Sequence, residues 1–284
     1  MRFCLVIVGV FLFSAGLFAE TGKIASLSPN LTEMMFLLGQ GHRLAGRSVH
    51  CDYPKEAQKI KVVGSFGKPY LEPLIASGAK TIITSTVRGS DDEGMLRKAG
   101  IRRIVIPDSS FEQYFSALKT LGDLLDCRDQ AQEEITKAKK MLEQIRKETE
   151  KIPNEKKPTV LVMISTAPVI TAGKKSFIND MIQLAGGRNI AENVDQDYFS
   201  CSPEWIMIHQ PDIIILCRMD HAKNSPDLKK NSLFANLKAV KSNRILRELE
   251  PSLLYRLGPR SFQGIRIMNQ FFFEKKISPS KPSR

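Results

Sequence analysis

RDQAQEEITKAKKMLEQIRKETEKI, residues 128–152, contains neither glycine nor proline. Within it Ala131, Ile135, Ala138, Met141, Leu142 and Ile145 recur at steps of three and four. That spacing predicts one amphipathic helix of about 24 residues, roughly 36 Å long at 1.5 Å per residue. Pro153 and the KKP that follows stop it, because proline lacks the amide that a helix must donate. A rod of this length reads as a surface helix or as a stiff strut between two units. The sequence on either side decides between them.

Upstream, KIASLSPN reads as a short strand running into a helix over Leu31–Leu38, with Asn30 and Glu33 at capping-box spacing. RLAGRS, KTIITS and RRIVIP read as strands, with helices over Glu72–Ser77, Asp92–Ala99 and SFEQYFSALKTLGDLL. Downstream, PTVLVMIS and VITAG are strands, and SFINDMIQLAGG is a helix closed by its glycines. SPEWIMIHQ then predicts a helix and PDIIILC a strand. A helix near Leu233–Val240, a strand near Arg244–Leu246 and a helix over Ser261–Phe273 complete the chain. Strands alternating with helices imply mostly parallel sheets covered on both faces. The expected fold class is therefore α/β, with two α/β lobes joined by a single long rigid helix. A continuous helix is a poor hinge, so any closure of the lobes is expected to be small.

One layout occurs twice. YLEPLIASGAKTII (70–83) and SPEWIMIHQPDIII (202–215) each carry a glutamate, Glu72 or Glu204, 132 residues apart. In both, apolar residues stand two and three positions on, then a Gly or Pro break, then an Ile-Ile pair. Helices that cover sheets explain the apolar positions. The helix dipole favours an acid in a first turn, which explains part of the glutamate match.

The termini stand apart. Met1 and Arg2 precede the sixteen-residue apolar run FCLVIVGVFLFSAGLF, short of the roughly 20 residues of a spanning helix and suited to a signal peptide core. Cys4 opens that run rather than following it, which argues against lipid attachment. The expected organisation is a signal peptide over 1–19, an amino-terminal lobe over 20–127 and the linking helix over 128–152. A carboxyl-terminal lobe over 153–275 and a disordered tail over 276–284 follow. Four cysteines remain after the leader, Cys51, Cys127, Cys201 and Cys217, and their spacing selects none of three pairings. Cys217 lies in an apolar strand and reads as a buried small hydrophobe.

The net charge of +12 raises nucleic acid binding, but the basic residues are scattered and no aromatic platform interleaves them. No phosphate loop, nucleophile elbow or helical histidine pair is present. His50 with Asp52 is the one acid–base pair an exported tetrapyrrole metal chelatase could use. The expected reading is a binder and not an enzyme, without cofactor or nucleic acid partner.

IASLSPNLTEMMFLLG, GRSVHCDYPKEAQKIKVVGSF and YLEPLIASGAKTII together resemble the amino-terminal lobe of periplasmic substrate-binding proteins for vitamin B12, ferric siderophores and haem. TAGKKSFINDMIQLAGGRNI and SPEWIMIHQPDIII resemble the carboxyl-terminal lobe. The resemblance runs from about Ile24 to Phe273. It implies a periplasmic monomer that grips its ligand in a cleft between lobes. It also implies docking of Glu72 and Glu204 on arginines of the two permease subunits of an ABC importer. Similarity to the cobalamin branch places His50, Phe66 and Tyr198 at ligand positions that are typically aromatic; Arg256 is expected among the ligand-binding residues as well. The histidine departs from that pattern and leaves open a nitrogen ligand to the metal of the bound chelate. Haem-binding members generally carry tyrosine directly after VG, where Ser65 stands here. Arg47, Arg88 and Arg256 would serve a ferric siderophore. Cobalamin or a related corrinoid is the first expectation, with ferric siderophore and haem as alternatives.

Overall fold

The computed structural model describes residues 22–88, 92–217 and 227–273. The expected signal peptide (1–19) and tail (276–284) lie outside the described residues. In chain order the first lobe comprises β1 (Ile24–Ser26), α1 (Pro29–Leu37), β2 (Leu44–Ser48), β3 (Val62–Ser65), β4 (Lys68–Pro69), α2 (Leu71–Ser77), β5 (Thr81–Thr84), α3 (Asp92–Lys98), β6 (Arg102–Val105) and α4 (Phe111–Leu124). Helix α5 (Arg128–Glu150) follows. The second lobe comprises β7 (Thr159–Met163), β8 (Ser165–Thr166), β9 (Val169–Ala172), α6 (Phe177–Leu184), β10 (Arg188–Asn189), β11 (Tyr198–Ser200), α7 (Pro203–His209), β12 (Ile213–Leu216), α8 (Lys238–Lys241), β13 (Ile245–Leu246), α9 (Pro251–Tyr255) and α10 (Ser261–Phe273).

The first lobe is built on a six-stranded sheet in the order β4-β3-β2-β1-β5-β6, parallel except for the short β4. The Ile-Ile pairs of the repeated layout show why such sheets need cover on both faces. Successive strand residues point to opposite sides. Ile82 packs with Leu74 and Leu96 beneath α2 and α3, while Ile83 joins Leu31, Tyr114 and Leu118 on the other face. The second copy does the same: Ile214 packs with Ile206 of α7, and Ile215 enters the larger cluster. Leu74 and Ile206, two positions after each glutamate, are fully buried. The apolar half of the repeat is thus a helix seated on a doubly covered strand.

The second lobe departs from the first. Its parallel sheet has four strands, β10-β7-β12-β13, and β11-β9-β8 form a separate three-stranded antiparallel sheet. The strand predicted at VITAG is therefore the centre of a small meander. The helix expected near Leu233–Val240 shrinks to Lys238–Lys241, because the Asn231 side chain accepts from the Leu233 amide and draws the preceding residues into turns. The capping box read at Asn30 and Glu33 is also replaced. Helix α1 starts at Pro29, with Ser28 in the N-cap position, because proline suits the first helical position. Glu33 is drawn away to an arginine of the other lobe, described below.

Helix α5 runs unbroken for 23 residues. Ala131, Ile135, Ala138, Leu142 and Ile145 form its buried stripe, while Lys137–Glu133 and Lys147–Glu143 pair one turn apart on its wet side. It lies against α4 and α6. Gly122 of α4 permits the first of these approaches, since a Cβ there would stand 2.5 Å from that of Ala131. The helix is not the sole link between lobes. One apolar cluster runs from Ile24 and Leu118 through Ala138 and Ile145 to Ile182, Ile215 and Phe262. All four of the cysteines that follow the leader are buried and free.

Candidate functional site

Open α/β sheets place loops, and hence ligands, at the carboxyl ends of their strands. That is where the inter-lobe cavity lies. Asn30 follows β1, His50 and Asp52 follow β2, Phe66 follows β3, Arg88 follows β5 and Asp108 follows β6. From the second lobe Glu250, Ser252, Tyr255 and Arg256 close the opposite wall. The volume enclosed is about 330 Å³.

Phe66 is held by its neighbour. Gly67 has φ +69°, and a Cβ there would meet the Thr86 carbonyl oxygen at 2.8 Å. Its own carbonyl accepts from the Arg88 amide at 3.0 Å, and the Arg88 guanidinium lies 5.1 Å from the Phe66 ring centroid. Gly67→Ala should therefore cost about 1–2 kcal/mol from the left-handed backbone alone, and more from the clash. It should also weaken ligand binding by displacing Phe66 and Arg88 together. Thermal unfolding and ligand titration of the same variant would check both; an unchanged affinity would show that the loop does not position the ring.

Across the cavity floor, charges tie the lobes. Arg256 donates to both oxygens of Asp52, at 2.6 and 3.2 Å. Arg260 donates from Nε and Nη2 to the two oxygens of Glu33 at 2.9 and 2.8 Å, and from Nη1 to Glu250 at 3.2 Å. Its guanidinium stacks 3.9 Å from the centroid of Tyr53. The Glu33 side chain is only 3% exposed. Asn30 donates to the Leu257 carbonyl at 3.3 Å and to Asp108 at 2.9 Å. Burial raises the Asp52 carboxyl, but the hydrogen bond and charge of Arg256 outweigh it and hold it below the usual range. Among the described residues no cation plays that part for Asp108. Burial pushes its carboxyl up, against hydrogen bonds from Ser85 and Asn30.

The sequence-derived residues divide into three groups. His50, Phe66 and Arg256 come together on the cavity wall. Tyr198, on β11, is 44% exposed and outside the residues that line the cavity. Burial is the main cause that raises this phenol. Glu72 and Glu204 stand apart, exposed in the first turns of α2 and α7. The Glu204 carboxyl is lowered by its own backbone amide and then by Ser202. Arg47 is taken up locally, donating to the carbonyls of Ile60, Ser48 and Gln58. Both oxygens of Asp52 accept from Arg256, so the carboxylate of the pair named for a chelatase is already engaged. Among the described residues no group of three His, Cys, Asp or Glu side chains could hold a metal ion.

Sequence reading missed Glu33, Arg260 and Glu250 as a unit. The separation of 227 residues between Glu33 and Arg260 leaves no local signal. Two arginines four apart in RLGPRS are the single hint.

Comparison with known proteins agrees with this architecture. An uncharacterised ABC transporter substrate-binding lipoprotein of Bacillus subtilis is 26% identical over 259 residues, covering 89% of this chain and 81% of the relative. A vitamin B12-binding protein of Photorhabdus laumondii is 26% identical, covering 72% of this chain and 74% of its own length. The crystal structure of a periplasmic haem-binding protein of Vibrio cholerae superposes with a TM-score of 0.79 at 21% identity, covering 90% of this chain and all (100%) of that one. A family model described as periplasmic binding protein matches residues 24–248. Proteins of this kind bind solutes rather than transform them, and carry no cofactor. Two lobes, a cavity at their strand ends and a match across most of the sequence make this chain a member of the periplasmic binding protein family.

Proposed function

We propose that the chain captures cobalamin or a related corrinoid between its lobes and delivers it to an ABC importer. The observation that carries this reading is the meeting of His50 and Phe66 with Tyr255 and Arg256 across one cavity. An aromatic ring offers a flat face to a macrocycle, and His50 offers a nitrogen to its metal. The charge balance favours a ligand fringed with neutral amides. Asp52, Asp108 and Glu250 face the cavity, and of its two arginines Arg256 is already held by Asp52. A haem, with two propionates, or an anionic ferric siderophore would meet an excess of carboxylate. The similarity to a vitamin B12-binding protein points the same way.

On this reading the lobes span 20–127 and 153–275 around the strut at 128–152. The 1–19 segment directs export to the periplasm, where the chain is released without a lipid and acts as a monomer. Tyr198 closes over the ligand from the second lobe, and Glu72 and Glu204 meet the permease dimer. Titration calorimetry of the mature chain with cyanocobalamin, haemin and a ferric siderophore tests the ligand. Saturable one-to-one heat with cyanocobalamin is expected. Silence with cyanocobalamin and saturation with either of the others would reverse the assignment.

A further inference from the structure

The two most exposed large apolar side chains among the described residues are Ile208, at 81%, and Ile75, at 56%. Both belong to the repeated helices. Ile75 follows Glu72 by three positions and Ile208 follows Glu204 by four, so each lies one turn along the same helix face as its glutamate. Their neighbours are not loosely arranged. In α7 the Ser202 hydroxyl accepts from the Trp205 amide, the Trp205 ring meets Phe199 edge to face and lies tilted over His209, and the His209 Nδ1 lies 2.7 Å from the Trp205 carbonyl. Helix α2 ends on Gly78 in the left-handed region, and Leu74 anchors it fully buried. Packing of the fold explains neither isoleucine, because the buried positions of each helix are already filled by Leu74 and Ile206.

We infer that each lobe carries a two-part knob, an acid with an isoleucine beside it, and that the partner is a two-fold pair of subunits. Each subunit would offer a basic side chain next to an apolar socket. This rests on the docking reading of Glu72 and Glu204 above and adds the apolar half of the contact. Charge complementarity supports the choice of partner. The chain has 42 Lys and Arg against 30 Asp and Glu, yet among the described residues neither glutamate forms an ion pair. Two acids left unpaired on a basic protein suit a basic surface. The division of labour follows from the chemistry. The charged half sets orientation and encounter rate and adds affinity that salt screens. Burying isoleucine supplies affinity that salt does not screen.

The test adds purified mature chain to spheroplasts of the organism that encodes it, deleted for the endogenous copy. Uptake of labelled cyanocobalamin, haemin and ferric siderophore is followed against added protein at low and high salt. Ile75→Ser with Ile208→Ser should raise the half-saturating protein concentration at least tenfold. It should leave both the salt dependence and the calorimetric ligand affinity as in the wild type. Glu72→Gln with Glu204→Gln should instead flatten the salt dependence. A wild-type half-saturation point in the isoleucine variant would overturn the apolar half and leave the glutamates standing. If the unmodified chain restores uptake of none of the three ligands, the delivery reading itself falls and the knobs with it. Since both isoleucines project into solvent, serine should not impair folding, which circular dichroism would check independently.

Discussion

Glu33→Ala should lower the stability of the folded chain by about 3–5 kcal/mol, the cost of removing one partner from a buried ion pair. The Glu33 side chain is 3% exposed and that of Arg260 13%. Truncation leaves the guanidinium out of water with its two best acceptors gone. Glu250 and the face of Tyr53 remain near it, which places the expected loss toward the lower end of the range. For a chain of this size each kcal/mol moves the midpoint by about 2–4 °C, so a fall on the order of 10 °C should appear on thermal unfolding. Replacing Glu33 with leucine and Arg260 with methionine together should recover part of the loss, since neither member of the buried pair is then left without the other and Glu250, whose side chain is 59% exposed, meets water. A double-mutant cycle gives the coupling directly. A single-variant loss under about 1 kcal/mol, the ceiling for exposed pairs, would mean that water reaches this pair and that the lobes are joined by apolar contact and α5 alone.

Glu72→Ala with Glu204→Ala should abolish uptake while ligand affinity stays at the wild-type value. Truncating one member of a charge pair buried on docking costs about 2–5 kcal/mol, so two such losses correspond to roughly a thousandfold or more in complex stability at about 1.4 kcal/mol per decade. Neither residue lines the cavity, which separates the two readouts. Each single variant should fall between, because one knob would still engage its subunit. Normal uptake by the double variant would remove docking from the role of these acids.

Much of this architecture could be read from local pattern. The 23-residue helix, the alternation of strand and helix, and the doubly buried isoleucine pairs all follow from periodicity within a single segment. His50 and Phe66 follow successive parallel strands and so share an edge of the first sheet, but their place at a ligand, like that of Arg256 on the opposite wall, was legible only through resemblance to a known family. What escaped was set by contacts between distant segments. Glu33 looked like a capping residue because its spacing from Asn30 is local, whereas its partner lies 227 residues away. Arg256 looked free to receive an anion because nothing near it in sequence shows Asp52 as its acceptor. The antiparallel sheet of the second lobe was hidden for a like reason: VITAG reads as a lone strand, DYFS carries no strand reading, and the pairing of the two is a property of neither segment.

The apolar cluster that threads from Ile24 through α5 to Phe262 has a consequence for dissection of the molecule. Severing the polypeptide between α4 and α5, or at Pro153, would expose greasy surface on whichever half retained the helix and on the half that lost it. Neither fragment should persist alone, and heating the intact chain should give a single cooperative endotherm. The two lobes should therefore unfold as one foldon, so an isolated fragment should not reproduce the fold of either half.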